Sequence, residues 1–251
     1  IEDLAFGGKG IARVDGYPIF IPNTIPGQEV QVRLAKKRKS HGEGRLIRIL
    51  SPSAEEQSIP YQSIPGAPYA TWPIKLQEEN KLKNSLELYK RLGHFKEVET
   101  IFDTFIPSPI HWHYRNKMEY TFSPVTQAKG DPTYIDDFSL GFKHRGQWLS
   151  VENLEKDSGL FDAEVENTLS QVRDYCQETG LQPWHPKRHT GFFRNLVVRR
   201  SLSTKALLVN LITTSHGLDS FDIEAFGTFI QELWNGRIEG FQHTLNDHTG
   251  D

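Results

Sequence analysis

Val30, Val32 and Leu34 alternate with Glu29, Gln31 and Arg33, a period of two that predicts a half-buried strand. Other β-rich pieces lie on either side of it in the first fifty residues: Ile11–Val14, Pro18–Ile21 and Gly44–Leu50. They are separated by Gly7-Gly8-Lys9-Gly10, Asp15-Gly16, Pro22-Asn23 and Pro26-Gly27-Gln28, all of which is turn chemistry. Four or five strands in so short a span predict a small closed β-barrel of the oligonucleotide-binding type over residues 1–50.

The pattern then changes. Residues 51–76 carry Pro52, Pro60, Pro65, Pro68 and Pro73, a density that forbids a helix or a central strand and predicts an ordered loop. A helix is expected over Leu76–Leu92, with Leu82, Leu86 and Tyr89 on one stripe and Gly93 as its stop. Met118, Tyr120 and Phe122 alternate with polar residues as a strand, and Leu140–Lys143 with Gln147–Val151 reads as a hairpin around His144-Arg145-Gly146. Phe161, Val165, Leu169, Val172 and Cys176 have the spacing of one helix ended by Gly180. Phe193–Arg200 and Ala206–Thr213 form a second hairpin, Ile223 to Trp234 a last helix and Ile238–Leu245 a last strand. The fold class is therefore α+β: a barrel over 1–50, a Pro-rich loop over 51–76 and a mixed domain over 77–251 with antiparallel pairing.

Composition narrows the function. With 251 residues, 37% of them hydrophobic and 11% aromatic, the chain can bury a sizeable core. No apolar run approaches the roughly 20 residues a membrane span needs, and no secretory signal opens the sequence. One cysteine, Cys176, excludes a disulfide framework and any site built from several thiolates of this chain. These points make the cytoplasm the expected location, and a monomer is the expected state. The formal net charge is −3, yet residues 1–50 hold nine Lys/Arg against five Asp/Glu, so their balance of +4 leaves −7 for the rest. Such asymmetry points to an anionic partner for the first fifty residues. The sequence begins at Ile1 rather than Met and stops just after the last strand, and we read it as part of a longer chain.

Three clusters carry candidate chemistry. Lys36, Lys37, Arg38 and Lys39, with Arg45 and Arg48 on the next strand, suit phosphate binding with counterion release; the competing reading is a solvated loop. Arg115 and Lys117 lie in Tyr114-Arg115-Asn116-Lys117, and Arg194 and Arg199 in Gly191-Phe192-Phe193-Arg194-Asn195 and the strand that follows. Aromatics interleaved with arginine suit base stacking and phosphate contacts, unless the rings are core and the cations line a sheet edge. His111 and His113 on one strand face, with Asp136 or Asp137, would be two or three metal ligands, but nothing fixes a third, and we assign no metal. Cys176 lies on an apolar stripe and reads as a small buried hydrophobe. Gly7-Gly8-Lys9-Gly10 lacks the following helix a nucleotide cradle requires.

Several segments together resemble one family. Ile1-Glu2-Asp3-Leu4-Ala5-Phe6-Gly7-Gly8-Lys9-Gly10-Ile11-Ala12, Ile19-Phe20-Ile21-Pro22 and Pro26-Gly27-Gln28 resemble the TRAM domain, a small RNA-binding barrel. Tyr114-Arg115-Asn116-Lys117-Met118-Glu119, Gly141-Phe142, Val151-Glu152-Asn153 and Gly191–Arg199 resemble the central domain of the RNA (uracil-5-)-methyltransferases. The resemblance implies methylation of uridine C5 in transfer or ribosomal RNA with S-adenosylmethionine, through attack of a cysteine thiolate on C6, methyl transfer to C5 and loss of the C5 proton.

Two departures shape the expectation. The family commonly holds an iron–sulfur cluster on four cysteines, and its pattern falls here on Ser58, Ile64, Ala67 and Leu154; none offers a thiolate, so no cluster is expected. The family's catalytic cysteine and methyl-donor site lie in a C-terminal doubly wound domain, which we expect beyond residue 251. The chain then reads as the RNA-binding portion of the enzyme, itself inactive, with S-adenosylmethionine bound by a domain outside it. The alternative is a stand-alone RNA-binding protein.

Overall fold

A computed structural model describes residues 1–126, 135–144 and 150–250. The chain divides into two units, one of residues 1–60 and 67–111 and the other of 61–66 and 112–251. This division differs from the expected partition at 50 and 76: the helix expected to open the second domain sits with the first unit.

In the first unit, strands β1 (Asp3–Leu4), β2 (Gly10–Val14), β3 (Tyr17–Ile21), β4 (Glu29–Lys37) and β5 (Gly42–Ser51) form a sheet in the order β1-β2-β3-β5-β4. The pairings are antiparallel except β3 with β5. β1 and β4 are the outer strands of this order, and the residues just before each are joined by backbone hydrogen bonds, Gly27 N donating to Ile1 O at 2.8 Å and the Ile1 ammonium to Gln28 O at 2.6 Å. Helix α1 (Ile74–Arg91) follows the Pro-rich segment, and α2 (Val98–Ile101) is one short turn.

The expected apolar stripe does not describe α1, for Tyr89 is 63% exposed and no residue of the helix is fully buried. Its polar residues make the attachment instead. Asn80 Nδ2 and Lys83 Nζ reach Asp3 Oδ1 and Oδ2 at 3.3 and 2.6 Å, and Asn84 Nδ2 donates to Leu4 O at 3.1 Å. Leu76 and Tyr69 pack on a small core of Leu4, Ile25 and Trp72. The Pro-rich loop is ordered by Glu56, whose carboxylate accepts from Ser53 N, Gln28 Nε2 and Thr71 Oγ1.

The second unit is a six-stranded sheet, β11-β10-β9-β6-β7-β8, built from β6 (Lys117–Thr126), β7 (Ile135–Lys143), β8 (Val151–Asn153), β9 (Phe193–Arg200), β10 (Leu207–Thr213) and β11 (Ile238–Leu245). Helices α3 (Ala163–Asn167), α4 (Leu169–Glu178) and α5 (Ile223–Leu233) accompany it. Pairing is mainly antiparallel, as expected, with parallel contacts of β6 to β8 at Thr126 and Val151 and of β10 to β11 at the edge, where α5 supplies the crossover that parallel neighbours need. The hairpin expected around His144-Arg145-Gly146 is seen as antiparallel pairing of β7 with β8, while residues 145–149 lie outside the described residues.

The single helix expected over Phe161–Cys176 is two. Thr168 interrupts it at φ −111°, ψ 3°, its hydroxyl donating to Glu164 O at 2.7 Å and accepting Trp234 Nε1–H at 3.0 Å. A hydroxyl that satisfies its own backbone competes with the helix ladder. The apolar stripe survives the break, since Val165, Leu169, Val172 and Cys176 are all fully buried. They join a core rich in aromatics, with Phe122 and Phe193 rings 5.2 Å apart.

Two positions of the cysteine pattern, Ile64 and Leu154, are buried apolar side chains at 1% and 0% exposure.

Candidate nucleic-acid interface

The β4–β5 ribbon makes the first cationic surface. Outward positions recur every second residue, which places Glu29, Gln31 and Arg33 on one face of β4 while Val30 and Val32 turn inward. Register sets Arg33 directly opposite Arg45 and Gln31 opposite Arg48. Arg48 Nε donates to Gln31 Oε1 at 2.8 Å, which holds that arginine along the ribbon. Arg33 and Arg45 are both exposed and neither takes part in an ion pair among the described residues.

Lys36 and Lys37 end β4, and Arg38 and Lys39 lie in the turn to β5, all four exposed. Tyr17 donates its hydroxyl to Arg38 O at 2.6 Å, tying the turn to β3, and the Arg38 guanidinium stands 3.9 Å from Glu43. Thus the structure brings Lys36, Lys37, Arg38, Lys39, Arg45 and Arg48 onto one ribbon, and adds Arg33. The alternation with Val30 and Val32 is the sequence signal for Arg33.

On the second unit, Lys117 of β6 and Arg199 of β9 are directly opposite each other. Lys117 Nζ lies 3.2 Å from Glu119, and Arg199 is exposed. Arg115, two residues before the strand, is also exposed, with its backbone N–H bonded to Leu160 O at 3.0 Å.

Arg194 differs from the expected RNA contact. It is 2% exposed, and its guanidinium donates to the carbonyls of Asn246, His248 and Gly250 at 2.9, 2.6 and 2.7 Å. Its Cζ lies 4.7 Å over the Trp184 ring. A β-bulge between Ile212 and Thr213 skips Arg194 in the β9–β10 register, and the freed side chain turns onto the segment after β11. These contacts let it organise the segment after β11.

The histidine pair is also separated in role. His113 Nε2 sits 2.8 Å from Asp157 Oδ2, whereas His111 is exposed in the other unit. Asp136 and Asp137 are exposed on β7, and Asn153 Nδ2 donates to Asp137 Oδ2 at 3.3 Å. Among the described residues no group of three metal-ligating side chains comes together. Cys176 is buried on α4, and burial pushes its thiol up, the reverse of what a nucleophile needs. Gly7-Gly8-Lys9-Gly10 leads into β2 rather than a helix, so it offers no cradle for a nucleotide-like cofactor. No helix among the described residues is long and apolar enough to cross a membrane.

Residues 1–47 match the TRAM domain. An uncharacterized RNA methyltransferase of Clostridium tetani is 31% identical over 100% of this chain and 53% of its own length. One from Caldanaerobacter subterraneus subsp. tengcongensis is 29% identical over 100% of this chain and 54% of its own. The chain thus spans about half the length of the curated relatives it matches. The fold is similar to that of the Pyrococcus abyssi tRNA (uracil-54, C5)-methyltransferase in complex with S-adenosyl-L-homocysteine, with a TM-score of 0.57 and 20% identity over 88% of this chain and 48% of that one. These findings show a TRAM domain over residues 1–47 and similarity of the chain to proteins named as RNA methyltransferases.

Proposed function

We propose that the chain is the RNA-binding portion of an RNA (uracil-5-)-methyltransferase that uses S-adenosylmethionine and acts on structured transfer or ribosomal RNA. The observation that carries this is the Arg33–Arg45 pair on the exposed ribbon within residues 1–47, the stretch that matches the TRAM domain. Like charges directly opposite each other on a sheet are destabilising, by about 0.2–1 kcal/mol. A phosphate between them converts that repulsion into two attractions and releases counterions. The neighbouring run Lys36–Lys39 extends the same field along the backbone of a bound strand.

C5 methylation requires a thiolate, and the sequence's one cysteine is buried with its thiol pushed up. Cys176 therefore does not fit the nucleophile. The chain's part is to bind and orient RNA.

The experiment is binding of a fluorescent structured RNA by wild type and by the Arg33→Ala/Arg45→Ala variant across a salt series. The variant should bind more weakly, with a log–log salt slope flatter by about 0.7–0.9 for each phosphate no longer neutralised. Its thermal stability should equal or exceed that of wild type, because a repulsion has been removed. Unchanged affinity and slope would sink the reading.

A further inference from the structure

Resting on the RNA-binding reading, we infer that a cleft in the second unit receives one unstacked nucleotide of the bound RNA. The cleft has a volume of about 420 Å³ and lies among residues 180–192, Pro124 and His216, a size within the range of small-ligand sites. Leu181, Pro183 and Phe192 contribute an apolar side, while Arg188 contributes positive charge and His185 and His216 contribute ring nitrogens. An apolar face for a base beside a cationic edge for its phosphate is what a splayed nucleotide needs. A site for a bare anion would not need the apolar side.

The backbone around the cleft is held before any ligand arrives. Phe192 N donates to Gln182 O at 2.7 Å, His185 N to Thr190 O at 2.7 Å, and Trp184 N to Phe193 O at 2.8 Å. Thr214 Oγ1 donates to Gly191 O at 2.9 Å. Gly191 has φ +113°, and a Cβ there would strike the Pro183 carbonyl, so this close pass of the two stretches requires glycine. Between them the chain turns tightly, Arg188 N and His189 N donating to His185 O at 3.1 and 2.9 Å.

That turn also orients the chemistry. The N–H groups of Lys187 and Arg188 donate to His185 Nδ1 at 3.3 and 3.4 Å, so in the neutral ring Nε2 carries the proton and acts as a donor. Arg188 is exposed and takes part in no ion pair among the described residues. The nearby carboxylate, Asp247, accepts from Ser215 N at 2.7 Å and faces His216 electrostatically. A fixed backbone carrying an uncommitted guanidinium has already met much of the ordering cost of binding.

The test uses the whole chain. Amide NMR shifts are followed during titration, to millimolar concentration, with AMP, CMP, GMP and UMP, with inorganic phosphate, and with uridine. The nucleotides should move the Arg188, Gly191 and His216 resonances more than phosphate or uridine alone. Arg188→Ala should weaken binding of single-stranded RNA about tenfold, as expected for loss of one charge-assisted contact, and His216→Ala should weaken it less. Arg188→Lys should restore the salt slope, and circular dichroism should show all three variants folded.

If inorganic phosphate alone reproduces the nucleotide shifts, the cleft is an anion site and the inference is overturned. If no nucleotide moves these resonances, and Arg188→Ala and His216→Ala bind as wild type while Arg33→Ala/Arg45→Ala does not, the cleft fails and the ribbon stands. If none of these variants changes RNA binding, both readings fail. Weaker binding by the cleft variants with an unaffected ribbon variant would support the cleft alone.

Discussion

Replacing Glu166 by glutamine should make the protein more stable above neutral pH, and should remove a pH dependence that wild type shows. Glu166 is fully buried. Burial raises its carboxyl from the ordinary 4.5 to about 7. Ser158 N and Oγ donate to Oε2 at 2.7 Å each, and the Tyr120 hydroxyl donates to Oε1 at 3.2 Å. Those bonds favour the ion, but they do not offset burial and the nearby Asp157 charge.

A carboxyl that holds its proton more tightly in the fold than in the unfolded chain contributes stability below pH 4.5 and loses it as pH rises through 7. At about 1.36 kcal/mol per tenfold change in proton affinity, the full loss by pH 8 is about 3 kcal/mol. Glutamine retains the shape. Its carbonyl accepts the Ser158 bonds and its amide donates to the Tyr120 oxygen, which keeps a hydrogen bond to each of these groups although the Tyr120 hydroxyl no longer donates to this side chain. Urea unfolding of Glu166→Gln and wild type at about pH 4 and pH 8 should show the variant gaining about 3 kcal/mol relative to wild type across that interval. Other carboxylates, such as Asp162, where burial is outweighed by hydrogen bonds from Arg237 and Arg200, are common to both proteins and cancel. A difference that does not change with pH would refute the argument, as would a variant less stable than wild type at pH 8.

Replacing Lys36, Lys37, Arg38 and Lys39 by Ala should weaken RNA binding with little regard to sequence and flatten the salt slope by about one for each phosphate left without its cation; salt-series anisotropy checks it. Arg194→Ala should cost about 2–4 kcal/mol in urea unfolding, since a buried guanidinium and its bonds to three carbonyls are removed. It should change preference among RNAs no more than it changes overall affinity. Cys176 should resist a thiol reagent in the native protein and react in urea, as follows from its burial on α4.

Local periodicity identifies the strands well, because a period of two with β-branched residues leaves little else for a segment such as Val30–Leu34 to be. The last strand is equally visible in the sequence, but its direction is not: parallel pairing of β11 with β10 follows from the crossover through α5, a relation between three segments. The apolar spacing places helix α1 close to its observed limits, yet the reason it belongs with the first unit is hidden there. Apolar spacing does not register attachment through Asn80, Lys83 and Asn84. The break at Thr168 escapes it for a similar reason. A hydroxyl is neutral in a periodicity argument, and only the Trp234 partner 66 residues away makes its position a helix end.

The arginines show where residue type stops being informative. Arg194 and Arg33 are both arginines on strands beside apolar residues, and only the first has the flanking aromatics that suggest a nucleic-acid contact. Register decides otherwise. On β4, whose pairing shifts register on either side of it, Arg33 still pairs directly with Arg45 and is exposed, so its charge is left facing solvent. At the bulge of β9, Arg194 is released from alternation, and three carbonyls of the following segment capture it. An aromatic–arginine cluster has two physical solutions, stacking on a base or stacking within the protein, and Trp184 takes the second. What distinguishes them is whether backbone acceptors lie within reach once the side chain is desolvated, because a buried guanidinium is tolerated only when its donors are satisfied. The same criterion leaves Arg188 and Arg33, exposed and without ion pairs among the described residues, solvated and open to a contact from outside the chain.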